Sequence, residues 1–360
     1  MEIPAKQTAL RLFPIDVLKA VSIVAVVSFH SIFVYTSTYT SVSYPLDILF
    51  APLKFCVPVL LTISFFLLKR GLEKKTEQPV YLLLKKRLTR LLIPTAFWFS
   101  LGIIINKFIW YQDKAQLLTS VLQGTIFTGA YYLLILFQFV PFFIWLHPWF
   151  DRRRNIWLTF IFQSLVFLSL YASLSGMFGS GIPLILHSLD RTLFIYWFVY
   201  MGLGSYLYNN WSKIVKISDS ITTRIKIALL CLTSLTMIAE CSFLKIFTGE
   251  SMRPYDYVLF SCIVSVIVCF LCFASVEESQ VSMPVRKAIK LLSTYSLGIF
   301  CINGCINLAL AGLIAPIFKY NTFNLTEMLV MKLVGWVLLL SLSLGLSLGL
   351  DKIKMGAFVR

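Results

Sequence analysis

Residues 14–35 read PIDVLKAVSIVAVVSFHSIFVY, an apolar stretch that also contains Asp16, Lys19 and His30. A hydrocarbon core of about 30 Å requires roughly 20 mostly apolar residues in a helix, so this stretch is long enough to cross a bilayer. It holds three ionisable residues and has no small-residue cleavage site, unlike a cleavable signal peptide. We therefore predict that it forms the first of several membrane-spanning helices.

Nine further stretches of similar length and composition follow, and the loops between them are short. The alternating pattern of a membrane β-barrel is absent from the sequence. We therefore predict an all-α polytopic membrane protein with about ten transmembrane helices. Residues 1–360 are expected to form a single integral-membrane domain with no separate soluble domain. The predicted spans are residues 14–35, 49–68, 91–111, 129–147, 156–173, 191–208, 227–246, 255–275, 291–315 and 329–350.

The composition of the whole chain agrees with this prediction. Of its 360 residues, 58% are hydrophobic and only 13% are charged, whereas soluble domains carry roughly 25% charged residues. So few charges could not cover the surface of a soluble fold, which excludes ordinary soluble enzymes and disordered chains. The net charge of +16 is compatible with nucleic-acid binding. Because the charges are sparse along an apolar chain, we expect contact with membrane lipid and no nucleic-acid partner.

The basic residues are distributed unevenly between the two sides of the predicted bundle. Of the 32 Lys and Arg, 24 fall in the N-terminal segment together with the start of span 1 (Lys19), the C-terminal tail and the loops after spans 2, 4, 6 and 8. Short cytoplasmic loops carry an excess of Lys and Arg. This bias predicts that both termini lie in the cytoplasm.

The cysteines and histidines do not indicate a metal site. All eight cysteines lie inside predicted spans, where buried thiols behave as small apolar groups. Cys269 and Cys272 form a CxxC pair, but no second pair and no nearby histidine accompany it. The three histidines are far apart in the sequence, which gives no metal-ligand spacing. We therefore expect no metal cofactor.

Asp16, Lys19 and His30 share one face of the first predicted helix because their spacing follows the helical period. Ionisable groups inside a membrane are costly and usually functional, so this face is expected to contact protein or a water-filled cavity. His30 lies 16 residues after Pro14, about 24 Å along a helix, toward the outer half of the bilayer. A histidine there is suited to act as a general base. A hydrogen-bonded histidine in a helix contact is the alternative.

A basic cluster of Lys85, Lys86, Arg87 and Arg90 lies where the third span leaves the cytoplasm. Arg87 and Arg90 are one turn apart, and Pro94 is expected to loosen the helix just after them. Such a pair could clamp phosphates or anchor the chain to anionic lipid, and the sequence leaves both open. With a deep histidine, a phosphate clamp favours a phosphorylated donor with a long arm, such as acyl-coenzyme A.

The first predicted span resembles that of the acyltransferase 3 family of membrane acyltransferases. In that family an arginine, an aspartate and a second basic residue lead into the first span, and a histidine lies near its far end. The counterparts in this chain are Arg11, Asp16, Lys19 and His30. The family usually has Arg-Gly where this chain has Lys19 and Ala20.

The resemblance extends over nearly the whole chain. The family's Arg-x-x-Arg motif followed by a proline is similar to Arg87, Arg90 and Pro94. An element near the end of the family, Ser-x-Gly-Ile-Tyr-Leu-Ile-His, is similar to residues 296–303, where Asn303 replaces the histidine of many members. A motif of the fourth span is also similar, and its polar positions are Tyr131, Tyr132 and Gln138.

The resemblance implies transfer of an acyl group, most often acetyl from acetyl-coenzyme A, to a hydroxyl of a glycan or lipid-linked sugar. It implies that His30 is essential, as a base or as a transient acyl carrier, and we place Asp16 with it among the catalytic residues. Arg87, Arg90 and Lys19 are expected to bind the donor.

The acceptor side is expected to include Tyr131, Tyr132, Gln138 and Asn303. For Tyr131, Tyr132 and Gln138 the sequence favours aromatic packing over contact with the acceptor. The expected location is a cell membrane, specifically the bacterial cytoplasmic membrane. A homo-oligomer is left open.

A membrane carrier that exports a glycan or its lipid-linked precursor, without acyl chemistry, is the alternative function. Many spans and intramembrane charges fit a carrier. The two halves do not share a pair of helices broken by Gly or Pro, and Glu240 is the only acid clearly inside spans 2 to 10. Detection of acyl transfer would distinguish the enzyme from the carrier.

Overall fold

The computed structural model describes residues 12–73, 79–179, 181–182, 185, 190–249 and 255–360. Arg11 therefore lies outside the described residues. The described part of the chain is helical and contains no strand, which confirms the predicted all-α class. Its α-helices are α1 Phe13–Phe29, α2 Thr40–Leu49, α3 Cys56–Glu73, α4 Val80–Phe108, α5 Lys114–Leu122, α6 Tyr131–Phe150, α7 Arg153–Leu174, α8 Phe198–Asn209, α9 Trp211–Ser220, α10 Thr223–Phe247, α11 Phe260–Phe273, α12 Met283–Thr294, α13 Ser296–Ile314 and α14 Leu325–Lys352.

Seven helices among the described residues are long and apolar enough to cross a membrane. They correspond to predicted spans 2, 3, 4, 5, 7, 9 and 10. About ten spans and cytoplasmic termini remain predictions. The seven helices are Ala51–Glu73, Val80–Phe108, Tyr131–Phe150, Arg154–Leu174, Thr223–Phe247, Ser296–Ile314 and Leu325–Lys352.

The elements at predicted spans 1, 6 and 8 are shorter than the sequence indicated. Helix α1 ends at Phe29, six residues before the predicted end. Predicted span 6 consists of two 3-10 turns, Asp190–Thr192 and Phe194–Tyr196, followed by α8. Predicted span 8 contains α11, which has 14 residues. These elements pack against other helices of the bundle, and a buried helix is apolar on every side whatever its length.

Helix α1 occupies the centre of the bundle and contacts α3, α11, α12, α13 and α14. Twelve of its residues are buried, including Leu18, Ile23 and Val27. Helices α3 and α8 also approach closely, because a Cβ added to Gly204 would lie 2.8 Å from the carbonyl oxygen of Thr62.

Glu240, the acid inside predicted span 7, stabilises the start of α11. Its carboxylate accepts hydrogen bonds from the backbone N–H groups of Phe260 at 2.8 Å and Ser261 at 2.7 Å. The first N–H groups of a helix lack partners within the helix and favour a negative charge. The position of Glu240 therefore has a structural explanation that does not require a proton relay.

Candidate active site

Two polar cavities lie at opposite ends of α1. The first has a volume of about 270 Å³ and is lined by Lys19 of α1, Arg87 and Arg90 of α4, and Arg360 near the end of the chain. We call it the inner cavity, because the charge bias predicts that this side faces the cytoplasm. It concentrates four basic side chains, and such a concentration favours binding of a polyanion such as a phosphate group.

The two arginines predicted from the sequence are both in the inner cavity. Arg87 extends to α3, where a Cβ added to Gly71 would lie 3.2 Å from its Nη2 atom. Among the described residues, no side chain or backbone group forms a hydrogen bond or ion pair with Arg87 or Arg90. Arg360 is held differently, by an ion pair with Asp351. Within the described part of the structure, the N–H groups of Arg87 and Arg90 are therefore available to bind a ligand.

Asp16 is buried beside the inner cavity. Its Oδ1 atom accepts a hydrogen bond of 2.5 Å from the hydroxyl of Ser293, a residue that lines this cavity. Asp16 precedes His30 by 14 residues, which corresponds to about 21 Å along a helix. The structure therefore places Asp16 with Lys19 and not with His30, and its role in catalysis remains a prediction.

The second cavity, which we call the outer cavity, has a volume of about 380 Å³. It is lined by His30, Arg191, Asp256, Asn307 and Lys332, among others. Arg191 and Lys332 are close enough to His30 to interact with it electrostatically. His30 therefore lies in a charged cavity that is separated from the inner cavity by most of the length of α1.

The end of α1 explains how His30 reaches the outer cavity. His30 is the residue that caps α1, and the chain is no longer helical after it. The last carbonyl groups of a helix need partners from elsewhere and favour a nearby cation. Lys332 Nζ donates to the carbonyl of Ser28 at 2.7 Å, and the Asn307 amide donates to the carbonyl of His30. Helices α13 and α14 therefore fix the position of His30.

Arg191 is brought to the outer cavity by the 3-10 turn Asp190–Thr192, which α6 supports. Its guanidinium group lies 4.2 Å from the centre of the Tyr131 ring. Gln138 donates a hydrogen bond of 2.8 Å to the carbonyl of Thr192, and Trp197 donates one of 2.8 Å to the carbonyl of Arg191. Tyr131 and Gln138, predicted on the acceptor side, therefore hold the segment that carries Arg191.

The side chain of Tyr132 lies toward the inner cavity, unlike that of Tyr131. Its hydroxyl lies 3.3 Å from the hydroxyl of Ser64, which lines the inner cavity. Its ring packs against Phe300 with 5.1 Å between the ring centres. Neighbouring residues of a helix point about 100° apart, so the two predicted tyrosines lie toward different cavities.

Asn303 lies on a face of α13 that extends from the inner to the outer cavity. Ser296 on this face lines the inner cavity, and Asn307 lines the outer cavity. Asn303 lies between them and is completely buried. Neither its amide nitrogen nor its amide oxygen has a hydrogen-bond partner among the described residues. A buried amide without partners is costly, and the expected contact of Asn303 with a ligand stays a prediction.

The Asn303→Leu variant is expected to be more stable than the native protein by about 1–3 kcal/mol, because it removes two unpaired buried polar atoms. The measurement is the unfolding midpoint in a denaturant titration of the purified protein in detergent. Asn106 is a matched control, because its buried amide donates to the carbonyls of Gly102 and Ile126. Asn106→Leu should destabilise the protein. Equal destabilisation by both changes would contradict the prediction.

Arg191 and Lys332 were not identified as site residues from the sequence. Each is a basic residue on the side predicted to face away from the cytoplasm, where basic residues are scarce. The scarcity of basic residues on that side is the sequence signal that could have identified Arg191 and Lys332. Among the described residues, no cluster of His, Cys, Asp or Glu has the arrangement of a metal site.

Residues 14–352 match the family model of the acyltransferase domain of the acyltransferase 3 type. The match covers nearly the whole chain and includes all the residues that line the two cavities except Arg360. No curated protein and no solved structure matches the chain. The match confirms the family resemblance predicted from the sequence. The chain belongs to the acyltransferase 3 family.

Proposed function

We propose that this protein transfers an acyl group, in the first place acetyl, from acyl-coenzyme A to a hydroxyl of a cell-surface glycan or lipid-linked sugar. One observation carries the proposal: α1 extends from a cavity that contains two arginines to a second cavity that contains His30. Among the described residues, these two arginines have no hydrogen-bond or ion-pair partner. Such an arrangement suits a donor whose phosphates and reactive thioester are far apart.

The donor phosphates bind to Arg87 and Arg90 in the inner cavity, with Lys19 nearby. Arginine is suited to this task because its planar group forms two parallel hydrogen bonds with a phosphate. The arm of the donor then passes between Tyr132 and Asn303 toward the outer cavity. Asn303 supports this path because its buried amide has no partner among the described residues.

His30 removes the proton from the acceptor hydroxyl. The hydroxyl oxygen forms a bond with the thioester carbonyl carbon, the carbon–sulfur bond breaks, and coenzyme A leaves as a thiolate that then takes up a proton. Arg191 faces the negative charge that develops on the carbonyl oxygen. In a second route, His30 first accepts the acyl group and then passes it to the hydroxyl. Label retained on the protein without acceptor distinguishes the second route.

The central test uses purified protein in liposomes, radiolabelled acetyl-coenzyme A and a set of candidate glycan acceptors. Transfer of label to an acceptor supports the proposal. Movement of a glycan across the liposome membrane without transfer of label would contradict it and favour the alternative carrier. Boiled protein is the control for chemical acetylation.

Arg87→Ala and Arg90→Ala are each expected to raise the KM for acetyl-coenzyme A by roughly 10- to 100-fold, because hydrogen bonds to charged groups contribute about 1.5–3 kcal/mol. The value of kcat should change much less, since the arginines are remote from His30. Steady-state kinetics with varied donor measures both constants.

Lys86→Ala is the matched control for the two arginine variants. Lys86 belongs to the same basic cluster but is exposed and does not line the inner cavity. Its replacement should leave KM unchanged. An equal effect of all three variants would indicate that the cluster anchors the chain to lipid instead of binding the donor.

A further inference from the structure

An apolar groove runs along the outside of α1, between the 3-10 turn Ala51–Phe55 and α14. It has a volume of about 460 Å³, and nine of its eleven lining residues are apolar. Val21 and Leu333 on its walls are 40% and 57% exposed. In a membrane-spanning bundle such exposed apolar side chains face lipid. The groove is therefore open to the hydrocarbon of the bilayer.

The groove borders the outer cavity, because Phe50 and Lys332 line both of them. His30 lines the cavity on the other side of this junction. The lipid-facing groove and the side chain that we propose as the base therefore lie on the two sides of these shared residues.

Lys332 places a positive charge at this junction. Its side chain is only 4% exposed, and its Nζ atom lies 4.3 Å from the centre of the Phe50 ring. Its hydrogen bond is to the carbonyl of Ser28, and it forms no ion pair with a carboxylate of the described residues. The carbonyl of Ser28, the Phe50 ring and the more distant carboxylate of Asp47 compensate this charge in part, and a charge inside a membrane is costly unless it is fully compensated. A ligand with an anionic group directly after a hydrocarbon chain would supply a further partner.

We propose that the groove binds the hydrocarbon chain of a lipid-linked acceptor, with the lipid phosphate at Lys332 and the sugar in the outer cavity facing His30. This inference rests on the proposed function and narrows the acceptor to a sugar carried on a polyisoprenoid phosphate. A water-soluble glycan has no hydrocarbon chain that could occupy a groove open to lipid. The charge of Lys332 and the apolar walls complement the two parts of such a carrier.

The test measures binding of undecaprenyl phosphate to the purified protein in detergent by native mass spectrometry. Leu333→Trp fills the groove and should weaken binding by about 10-fold or more, since a tenfold change corresponds to only about 1.4 kcal/mol. Val334→Trp is the matched control. Val334 is 61% exposed at the same depth of α14 but does not line the groove, and its replacement should leave binding unchanged.

Two further comparisons distinguish a polyisoprenoid phosphate from other ligands of the groove. Lys332→Met should weaken binding of undecaprenyl phosphate but not of undecaprenol, which lacks the phosphate. Phosphatidic acid should bind more weakly than undecaprenyl phosphate, and equal binding would overturn the proposal in favour of an ordinary membrane-lipid site. Equal effects of Leu333→Trp and Val334→Trp would also overturn it. These measurements need no acyl transfer, so a failure of the groove proposal is distinguishable from a failure of the proposed function.

Discussion

The His30→Ala variant is expected to lose acyl transfer by about 100- to 10,000-fold, the usual contribution of a positioned general base. The loss would be complete if His30 carries the acyl group itself. The fold should persist, because the contacts that fix this position use the backbone carbonyl of His30 and not its ring. The measurement is the initial rate of label transfer from radiolabelled acetyl-coenzyme A, together with the unfolding temperature of the same sample.

His147→Ala is the matched control for this experiment. His147 is also half-buried near the end of a helix, where its Nδ1 atom lies 2.8 Å from the carbonyl of Ile144. It does not line the inner or the outer cavity, so its replacement should leave the rate unchanged. Full activity of folded His30→Ala protein would remove the central claim of the mechanism.

The Gly335→Ala variant is expected to lose both stability and activity. A Cβ added at Gly335 would overlap the carbonyl oxygen of Ser31, so α14 and the segment after His30 would have to move apart. Such overpacking typically costs about 1–3 kcal/mol. A displacement of about 1 Å at a reacting group can reduce the rate roughly 100-fold. We therefore expect kcat to fall by about that factor, with a lower unfolding temperature.

Gly345→Ala separates the local clash from a general effect of changing a glycine in α14. A Cβ at Gly345 would meet no atom within 4 Å. Alanine in a helix is more favourable than glycine by roughly 0.5–1 kcal/mol, so this variant should be slightly more stable and fully active. Equal kcat and stability of Gly335→Ala and the native protein would show that α14 does not position His30.

The long helices at the outside of the bundle could be predicted from hydropathy. A helix such as α10 or α14 faces lipid along much of its length, and lipid tolerates only a long uninterrupted apolar surface. The ends of α1 and α11 could not be predicted in this way. Their ends are set by groups from distant parts of the sequence, Lys332 and Asn307 for α1 and Glu240 for α11.

The site was predictable only in part. His30, Arg87 and Arg90 stand out locally, because a histidine in an apolar helix and two arginines one turn apart are unusual wherever the chain folds. Arg191 and Lys332 are single basic residues in the sequence. Their relation to His30 depends on how the 3-10 turn Asp190–Thr192 and α14 are placed around the end of α1.

The sequence by itself determined that this protein is helical, rich in apolar helices and a member of the acyltransferase 3 family. Tertiary structure alone decided that Asp16 and His30 lie at different cavities, that Tyr131 and Tyr132 lie toward different cavities, and that an apolar groove borders the outer cavity. The physical reason is that hydropathy and residue spacing act over one or two helical turns, whereas a cavity forms where side chains from distant helices meet.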